Sequence, residues 1–395
     1  MPERNLNFDE IVDRRGSKSI KYDFAAKRGY PEDVMPLWVA DMDFRTSSYV
    51  EDAVSELAKH NIYGYTNIQS GDGFFEAVSG WMKRHHSWDV LPQWHVHTPG
   101  VCFAIANAIR AYTDVGDSVI IQQPVYYPFR NVIFQNNRKM VSNDLVYDGN
   151  GHYSIDFEDF ENKIRDNHVK LFVLCNPHNP VGRVWSRDEL KKLGDICKKY
   201  HVLVFSDEIH FDFVWGKNHQ IFQEVSEDFK EFTITATSPS KTFNLAGAQQ
   251  SNIFIPNRDL KHRFVDEYDV SGLDEPNILG IATTQAAYSH GDEWYEAVWK
   301  YIKGNIDYAR EYVESELPGV RLVPTEGTYL IWLDFSGTGL DQQALEETIV
   351  GRARLWLDSG RIFGRTGAMF ERINVACPRS VLTEALHRIK NSLYI

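Results

Sequence analysis

Four side chains with complementary chemistry follow short apolar segments in the middle of the chain. Tyr126 comes after a segment that ends near residue 121, and Asn179 lies in a rigid polar turn after residue 175. Asp207 and Lys241 follow the next two apolar segments. Together they offer an aromatic ring, a carboxamide, a carboxylate and an amine. If these segments are strands of one parallel sheet, the four groups meet at its carboxyl edge, where ligands of such sheets bind.

One cofactor, pyridoxal phosphate, requires all four of these groups. It needs a lysine amine for its Schiff base, a carboxylate that keeps its ring nitrogen protonated, a donor to its phenolate oxygen and a ring stacked on its face. The amino end of a helix that begins at Gly100 and Val101 offers free N–H groups for the phosphate. The hydroxyl of Ser238 adds a further contact. These residues together predict a site for this cofactor.

The elements that carry these residues alternate between strands and helices. Five apolar segments rich in β-branched residues have the length and composition of buried strands. A capping box of Ser186 and Glu189 sets the start of a helix between two of them. This alternation predicts an α/β fold with a mostly parallel central sheet and helices on both faces. The predicted strands are 118–121, 170–175, 202–205, 232–237 and 252–255, and the predicted helices are 101–112 and 187–200.

The C-terminal third of the sequence has a different organisation. A long helical pattern is followed by a strand pattern and two shorter helices, which form a smaller α+β unit. The N-terminal residues are expected to pack with it. We therefore predict a large domain of residues 48–287 and a small domain made of residues 1–47 and 288–395. The predicted elements of the small domain are helices 291–317, 341–351 and 380–393 and strand 327–333.

The composition is that of an ordinary globular protein, with 43% apolar and 25% charged residues. The 42 Lys and Arg residues against 55 Asp and Glu residues give a net charge of −13. This charge argues against nucleic acid or an anionic membrane as the main partner. No apolar stretch reaches the roughly 18 residues of a membrane span, and the charged N-terminus does not resemble a secretory signal. We therefore expect a cytoplasmic protein.

A metal site is an alternative for the histidines near residue 95. The WHVH run at residues 94–97 would place His95 and His97 on one face of a strand, with His85 and His86 nearby. No acidic or cysteine partner stands at a helpful spacing, so no metal is predicted there. The four cysteines lack CxxC spacing and indicate neither a disulfide framework nor a thiolate zinc site.

Six sequence phrases between residues 38 and 380 carry a resemblance to a known family. They are WVADMDF at 38–44, YGY at 63–65, CNPHNPVG at 175–182, SDEIH at 206–210, SPSKTFN at 238–244 and RINVACPRS at 372–380. In these phrases and their order the chain resembles the pyridoxal-phosphate-dependent aminotransferase class I/II fold family, within it the cystathionine β-lyase (C–S lyase) branch. The resemblance implies an aspartate-aminotransferase-like structure of fold type I and pyridoxal 5′-phosphate as the cofactor. It implies cleavage of L-cystathionine or other S-substituted cysteines to pyruvate, ammonia and a thiol, which is homocysteine for cystathionine.

The resemblance also implies a role for each matching residue. Lys241 matches the Schiff-base lysine, which also moves the Cα proton. Asp207 matches the carboxylate that pairs with the pyridinium nitrogen. Asn179 matches the amide bonded to the phenolate oxygen, and Tyr126 matches the ring stacked on the cofactor. Arg372 matches the arginine that binds the substrate α-carboxylate, for which its planar fork is suited.

The remaining matches concern the phosphate and a second subunit. Gly100, Val101 and Cys102 match the phosphate-binding turn, and Ser238 matches a further phosphate ligand. Tyr65 matches a tyrosine that reaches the phosphate of the neighbouring subunit's site. The resemblance therefore implies a homodimer with shared active sites.

Two positions depart from the aminotransferase pattern. His210 stands three residues after the pyridinium-binding aspartate, where many aminotransferases have tyrosine and the lyase branch has histidine. Gln249 stands where an arginine often pairs with the phosphate. Two alternatives to the lyase stay open: an aminotransferase, which the same residues support, and a regulatory binding protein that retains the fold.

Overall fold

The computed structural model describes residues 2–69, 71–273 and 275–394. The helices, in chain order, are α1 (Ser48–His60), α2 (Phe74–His86), α3 (Val101–Tyr112), α4 (Pro128–Gln135), α5 (Phe157–Asp166), α6 (Arg187–Lys199), α7 (Pro239–Thr242), α8 (Arg258–Val270), α9 (Ile278–His290), α10 (Asp292–Glu316), α11 (Gln342–Glu346) and α12 (Arg379–Leu393). The strands are β1 (Met35–Pro36), β2 (His95–Thr98), β3 (Ser118–Ile121), β4 (Lys139–Ser142), β5 (Val146–Tyr147), β6 (Tyr153–Ser154), β7 (Leu171–Cys175), β8 (Leu203–Asp207), β9 (Thr233–Thr237), β10 (Ser251–Phe254), β11 (Arg321–Leu322), β12 (Leu330–Asp334), β13 (Leu355–Trp356), β14 (Asp358–Ser359) and β15 (Phe370–Asn374).

The central sheet has seven strands in the order β2-β10-β9-β8-β7-β3-β4. Neighbouring strands pair in parallel from β9 to β4, whereas β10 runs antiparallel to both β9 and β2. Successive residues of the buried strands enter different hydrophobic clusters. Phe172 packs with α5 and α6 residues, and Val173 packs with α3 and α8 residues. Helices therefore cover both faces, which confirms the predicted fold class.

The predicted strands in this sheet are confirmed with small differences at their ends. The strand predicted to stop at residue 205 continues to Asp207, because the backbone of that residue still pairs with Cys175 and Ala236. The polar side chains of Ser206 and Asp207 hide this continuation from a hydrophobicity pattern. The capping box of Ser186 and Glu189 is present as predicted.

A smaller sheet in the C-terminal part has the order β11-β12-β15-β14 and packs with the long helix α10 and with α12. The predicted helix at 341–351 is only partly α-helical, because α11 passes into a π-helical turn at Glu347–Arg352. The N-terminal strand β1 pairs in parallel with β13. The domain boundaries at residues 47 and 287 remain a prediction.

A buried ion-pair cluster stabilises the N-terminal segment that crosses this region. The ammonium of Lys21 is fully buried and lies 2.8 Å from a carboxylate oxygen of Asp43 and 3.6 Å from one of Asp41. Arg14 binds the same two carboxylates at 2.7 Å and 2.5 Å. Because Lys21 and Asp43 are buried, the charge of each depends on its partners in the cluster. The cluster therefore holds residues 41–43 beside Arg14 and Lys21.

We expect replacement of Lys21 by Met to lower the free energy of unfolding by about 3–5 kcal/mol, because it leaves the buried carboxylate of Asp43 with Arg14 as its remaining cationic partner. Lys191→Met is the control, since its ammonium lies 2.5 Å from Asp195 but both side chains are about half exposed. Exposed pairs contribute little. Urea titrations of the two variants and the parent protein measure the difference. Equal effects of the two substitutions would contradict a stabilising role for the buried cluster.

Candidate active site

A cavity of about 190 Å³ lies at the carboxyl ends of β7, β8 and β9, beside the first turn of α3. Tyr126, Asn179, Asp207 and Lys241 line it, so the structure brings together the four side chains that the sequence predicted to meet. Parallel pairing aligns the strand ends, and polar residues follow each buried strand at the same edge. The cavity is also lined by other predicted site residues: Gly100, Val101, Cys102, His210 and Ser238.

The lysine of the site lies on the short helix α7, which Ser238 caps by accepting a hydrogen bond from the backbone N–H of Ser240. The amine of Lys241 donates to the carbonyl oxygen of Ala40 at 2.7 Å. Burial lowers the pKa of Lys241, and the nearby cation of Arg372 lowers it further, against the opposing effect of Asp41. A lysine with a lowered pKa is neutral more often, and a neutral amine can act as a nucleophile or a base.

Asp207 is the last residue of β8, is buried and lines the cavity. Burial raises the pKa of Asp207 to about 7, although its carboxylate accepts a hydrogen bond of 3.1 Å from the backbone N–H of Ile209. A buried carboxylate is stabilised by a cation that binds beside it. The cavity therefore favours a ligand with a cationic ring nitrogen or a similar group at this point.

Asn179 and Arg372 form one side of the site. The guanidinium of Arg372 donates from Nη1 to Oδ1 of Asn179 at 2.9 Å. Its Nη2 donates to the carbonyl oxygen of Trp38 at 2.7 Å and to the carboxylate of Asp358. Arg372 is thus adjacent to the cavity, and it already has a carboxylate partner inside the protein. The motifs did not single out Asp358.

Gly100, Val101 and Cys102 bring the first turn of α3 to the cavity, and the N–H groups of such a turn have no partners within the helix. Gly100 is the residue before this helix, and no side chain caps the helix there. A Cβ added at Gly100 would meet no atom within 4 Å, so the backbone borders open space. An anion bound here would interact with the N–H groups of the first turn and with the positive end of the helix dipole.

Ser238 also lines the cavity, but its hydroxyl already has backbone partners. It donates to the carbonyl oxygen of Gln250 at 2.7 Å and accepts from Ser240 at 3.1 Å. A phosphate at this position would compete with Gln250 for that hydroxyl proton. Gln249 lines the cavity at the position where the family often has arginine.

Tyr126 and His210 are the other two rings of the cavity. The backbone N–H of Tyr126 donates to the carbonyl oxygen of Asn179 at 3.0 Å, which joins two walls of the site. Burial lowers the pKa of His210 well below its usual value, which favours the neutral imidazole. Its Nδ1 is buried and has no hydrogen-bond partner among the residues that the structure describes. A ligand that offers a hydrogen bond to this nitrogen would satisfy it.

Tyr65 lies outside the cavity of its own chain. Its side chain is 95% exposed, and Ile62 and Tyr63 beside it are 64% and 61% exposed. The single chain does not bring Tyr65 to the lysine. Its predicted role therefore requires a second subunit.

Sequence reasoning missed two groups that the fold brings to the lysine. The carbonyl oxygen of Ala40 accepts hydrogen bonds from Lys241 and, at 3.0 Å, from the hydroxyl of Tyr329. A backbone carbonyl leaves no signal in the side-chain pattern. Only the WVADMDF phrase, which contains Ala40, pointed to this segment.

The histidines near residue 95 have other partners. His95 and His97 alternate with buried residues on strand β2, as the sequence suggested. The Nε2 of His95 lies 3.1 Å from Oδ1 of Asn252, and burial lowers the pKa of this histidine to about 4. Within residues 2–69, 71–273 and 275–394, no three His, Cys, Asp or Glu side chains form a group that could hold a metal ion. Among the same residues, no helix combines the length and the apolar character needed to cross a membrane.

The chain is similar in sequence and in structure to known proteins over nearly its whole length. Cystathionine beta-lyase PatB of Bacillus subtilis is 40% identical over 389 residues, which cover 98% of this chain and 100% of the relative. The crystal structure of cystalysin from Treponema denticola, which contains pyridoxal 5′-phosphate, is 38% identical and superposes with a TM-score of 0.93 over 98% of both chains. The PLP-bound C–S lyase of Staphylococcus hominis is 33% identical with a TM-score of 0.91 over 99% of both chains.

The sequence profile for aminotransferase class I and II matches residues 32–389, which include every site residue described above. The profile matches almost the whole chain, and solved structures of relatives share its fold. This chain belongs to the class I and II aminotransferase family.

Proposed function

We propose that this protein is a pyridoxal-phosphate-dependent carbon–sulfur β-lyase. It cleaves L-cystathionine or another S-substituted cysteine, with water, to pyruvate, ammonia and a thiol. The observation that carries the proposal is the cavity itself, where Lys241, Asp207 and Asn179 line one space beside Arg372. Relatives that extend over the whole chain are named cystathionine beta-lyase and C–S lyase, which supports this reaction over transamination.

The residues of the cavity fit this cofactor. The buried carboxylate of Asp207 suits a protonated ring nitrogen, since such a cation would offset the burial that raises its pKa. The open space at Gly100, beside the first turn of α3, suits the phosphate. The amine of Lys241 suits the aldehyde carbon, and Tyr126 suits the ring face. When bound, the cofactor draws electron density away from the substrate Cα and so makes its proton removable.

The side chains of this protein orient the substrate and move its proton. Arg372 orients the substrate through its α-carboxylate, which fixes the Cα–H bond relative to the lysine. Asn179, whose Oδ1 accepts a hydrogen bond from Arg372, would hold the phenolate oxygen of the cofactor through its amide N–H. The neutral amine of Lys241, favoured by burial, accepts the Cα proton. The bond between Cβ and sulfur breaks, and the thiolate leaves with the electron pair. Water later releases the remaining carbon skeleton as pyruvate and the nitrogen as ammonia.

We further propose that the protein works as a cytoplasmic homodimer. The exposed side chains of Ile62, Tyr63 and Tyr65 form an aromatic and apolar surface that a second copy would cover. All four cysteines are free thiols, which is typical of a reducing compartment.

The reaction type is tested by pyruvate release. We expect purified protein to form pyruvate from cystathionine and from S-alkyl cysteines without any α-keto acid. Lys241→Ala should lower this rate by about 10²–10⁴-fold or more, because the base is removed. Lys191→Ala, which replaces a half-exposed lysine of α6, is the matched control and should keep the parent rate. Strict dependence on an α-keto acid acceptor would contradict the lyase and identify an aminotransferase.

Asp207 is tested through the pH dependence of stability after removal of the cofactor. Its folded pKa of about 7 lies above the ordinary value, so the folded state binds more protons between about pH 4 and 7. Stability therefore falls as the pH rises through this window. We expect Asp207→Asn to stabilise the cofactor-free protein by roughly 2–4 kcal/mol at about pH 8 and by much less at about pH 4.

The same variant should show the opposite behaviour with the cofactor present. Cofactor affinity and turnover should both fall, because asparagine cannot form an ion pair with the ring nitrogen. Thermal unfolding at both pH values, with and without the cofactor, makes the comparison. If the substitution changes the stability of the cofactor-free protein equally at both pH values, burial does not raise the pKa of Asp207.

The role of Tyr65 is tested by mixing two variants. Tyr65→Phe should weaken cofactor binding by about ten- to hundredfold, since a hydrogen bond to a charged group is lost. Lys241→Ala retains Tyr65 but cannot bond the cofactor covalently. If Tyr65 acts across the dimer, a mixed dimer has one site in which both residues are present, and activity at limiting cofactor rises above that of either variant. Absence of recovery after proven subunit exchange would mean that Tyr65 serves its own chain or only packs.

A further inference from the structure

Arg372 has a buried carboxylate partner, Asp358, that takes no part in the proposed reaction. Asp358 lies on β14, directly opposite Arg372 on the neighbouring strand β15. The side chains of Arg372 and Asp358 are only 3% and 7% exposed, and Nη2 of the arginine donates to Oδ2 of the aspartate. A carboxylate of the protein therefore already occupies the guanidinium that is proposed to bind the substrate carboxylate.

The geometry of the guanidinium means that a substrate carboxylate must compete with Asp358 for Arg372. A carboxylate binds an arginine in bidentate fashion through two N–H groups on one edge, either Nε with Nη2 or Nη1 with Nη2. Both edges use Nη2, whose two N–H groups donate to Asp358 and to the carbonyl oxygen of Trp38. Nε is buried and has no partner among the residues that the structure describes. A second carboxylate can bind in bidentate fashion only if one acceptor leaves Nη2.

Of these two acceptors, the carboxylate is the one that an incoming carboxylate would displace. The carbonyl of Trp38 belongs to a backbone segment whose next carbonyls, those of Val39 and Asp41, each accept a 2.6 Å hydrogen bond from Asn374. That segment is therefore held in place independently of Arg372. Asp358, by contrast, would be left beside a second negative charge.

The surroundings of Asp358 decide what happens to its charge. Burial raises the pKa of Asp358, and Arg372 and then Arg28 oppose this effect. The other charged or titratable groups that interact with it are Glu371 on β15, Tyr127 before α4 and Tyr30 on the N-terminal segment. Glu371 is itself buried, and burial raises its pKa well above the usual value. If Arg372 turns to another carboxylate, the exposed Arg28 is the one cation among the described residues that still acts on the buried Asp358.

We propose that Asp358 is an internal substitute for the substrate carboxylate. It neutralises Arg372 when no substrate is bound and gives up the guanidinium when the substrate carboxylate arrives, taking up a proton from solvent as it does so. The proposal rests on the proposed function only in that Arg372 is the carboxylate site. Asp358 then sets how tightly the enzyme holds carboxylate ligands and how that affinity depends on pH.

The direction of the pH dependence follows from proton uptake. A ligand whose binding takes up a proton binds more weakly as the pH rises, by up to about tenfold per pH unit for one proton. Asparagine at position 358 can still accept a hydrogen bond from Arg372 but carries no charge and takes up no proton. We therefore expect Asp358→Asn to bind carboxylate ligands about tenfold more tightly near pH 8 and to lose this part of the pH dependence.

The experiment uses the holoenzyme and 3-(methylthio)propionate, a substrate analogue without the amino group that cannot react with the cofactor. Its amide, 3-(methylthio)propionamide, is the uncharged reference ligand. Calorimetric titrations in two buffers with different ionisation enthalpies give the affinity and the number of protons taken up. The absorbance of the cofactor, followed in the same samples, accounts separately for protons bound there. Asp334→Asn is the matched control, because Asp334 is equally buried in the same small sheet and contacts Tyr147 rather than Arg372.

In the parent protein and in Asp334→Asn, we expect the acid to take up more protons than the amide, and in Asp358→Asn we expect this excess to disappear. An excess that survives in Asp358→Asn overturns the proposal while leaving Arg372 as the carboxylate site. Equal affinity for the acid and the amide in the parent overturns both the Arg372 assignment and the proposal. If Asp358→Asn does not fold, the parent alone decides, since absence of any excess uptake with the acid also overturns it. Lyase activity enters none of these outcomes.

Discussion

Burial of charge at the carboxyl edge of the central sheet is the constraint on which the rest of the site depends. Asp207 ends β8 inside the protein, and burial raises its pKa to about 7. Lys241 is partly buried, and burial lowers its pKa. Both shifts move the group toward its neutral form, so each side chain is ready to gain a partner of opposite charge or to bond with a ligand. If Asp207 and Lys241 were exposed to water, burial would not shift their pKa values.

One backbone segment connects this edge to the small sheet. The carbonyl oxygens of four consecutive residues, 38–41, all accept hydrogen bonds from side chains of the site region. Arg372 and Asn374 supply the donors from β15, and Tyr329 and Lys241 meet at Ala40. The ion-pair cluster of Lys21 holds the same chain immediately beyond this segment. Residues 38–41 therefore connect the cavity, which Ala40 lines, to the small sheet.

A second set of buried contacts anchors the lysine from behind. The hydroxyl of Thr242, the residue after Lys241, donates to the carboxylate of Asp212. That carboxylate also accepts from the indole of Trp81 at 3.2 Å and lies 2.6 Å from Nε2 of His86, both on α2. These bonds join the turn of the lysine to the body of the protein. Three carboxylates at the end of β8 and just after it thus have different tasks: Asp207 lines the cavity, Glu208 binds His219, and Asp212 holds α7.

The sequence by itself determined the class of fold and the chemical composition of the site. Apolar segments of strand length, separated by a capped helix, predict a parallel sheet, because burial on both faces leaves little choice of residue. Polar residues placed after those strands meet because parallel strands end at one edge, so Tyr126, Asn179, Asp207 and Lys241 were predictable together. Periodicity also located the long helix α10.

Only the tertiary structure decided the contacts that have no local signal. The carbonyl of Ala40 and the carboxylate of Asp358 act on residues about 200 and 14 positions away, and neither a backbone oxygen nor a lone aspartate marks itself in a sequence. The antiparallel direction of β10 and the π-helical turn after α11 depend on neighbours distant in the chain. The pKa values of Asp207 and Lys241 are tertiary properties as well, because burial, their largest cause, exists only after the chain has folded around them.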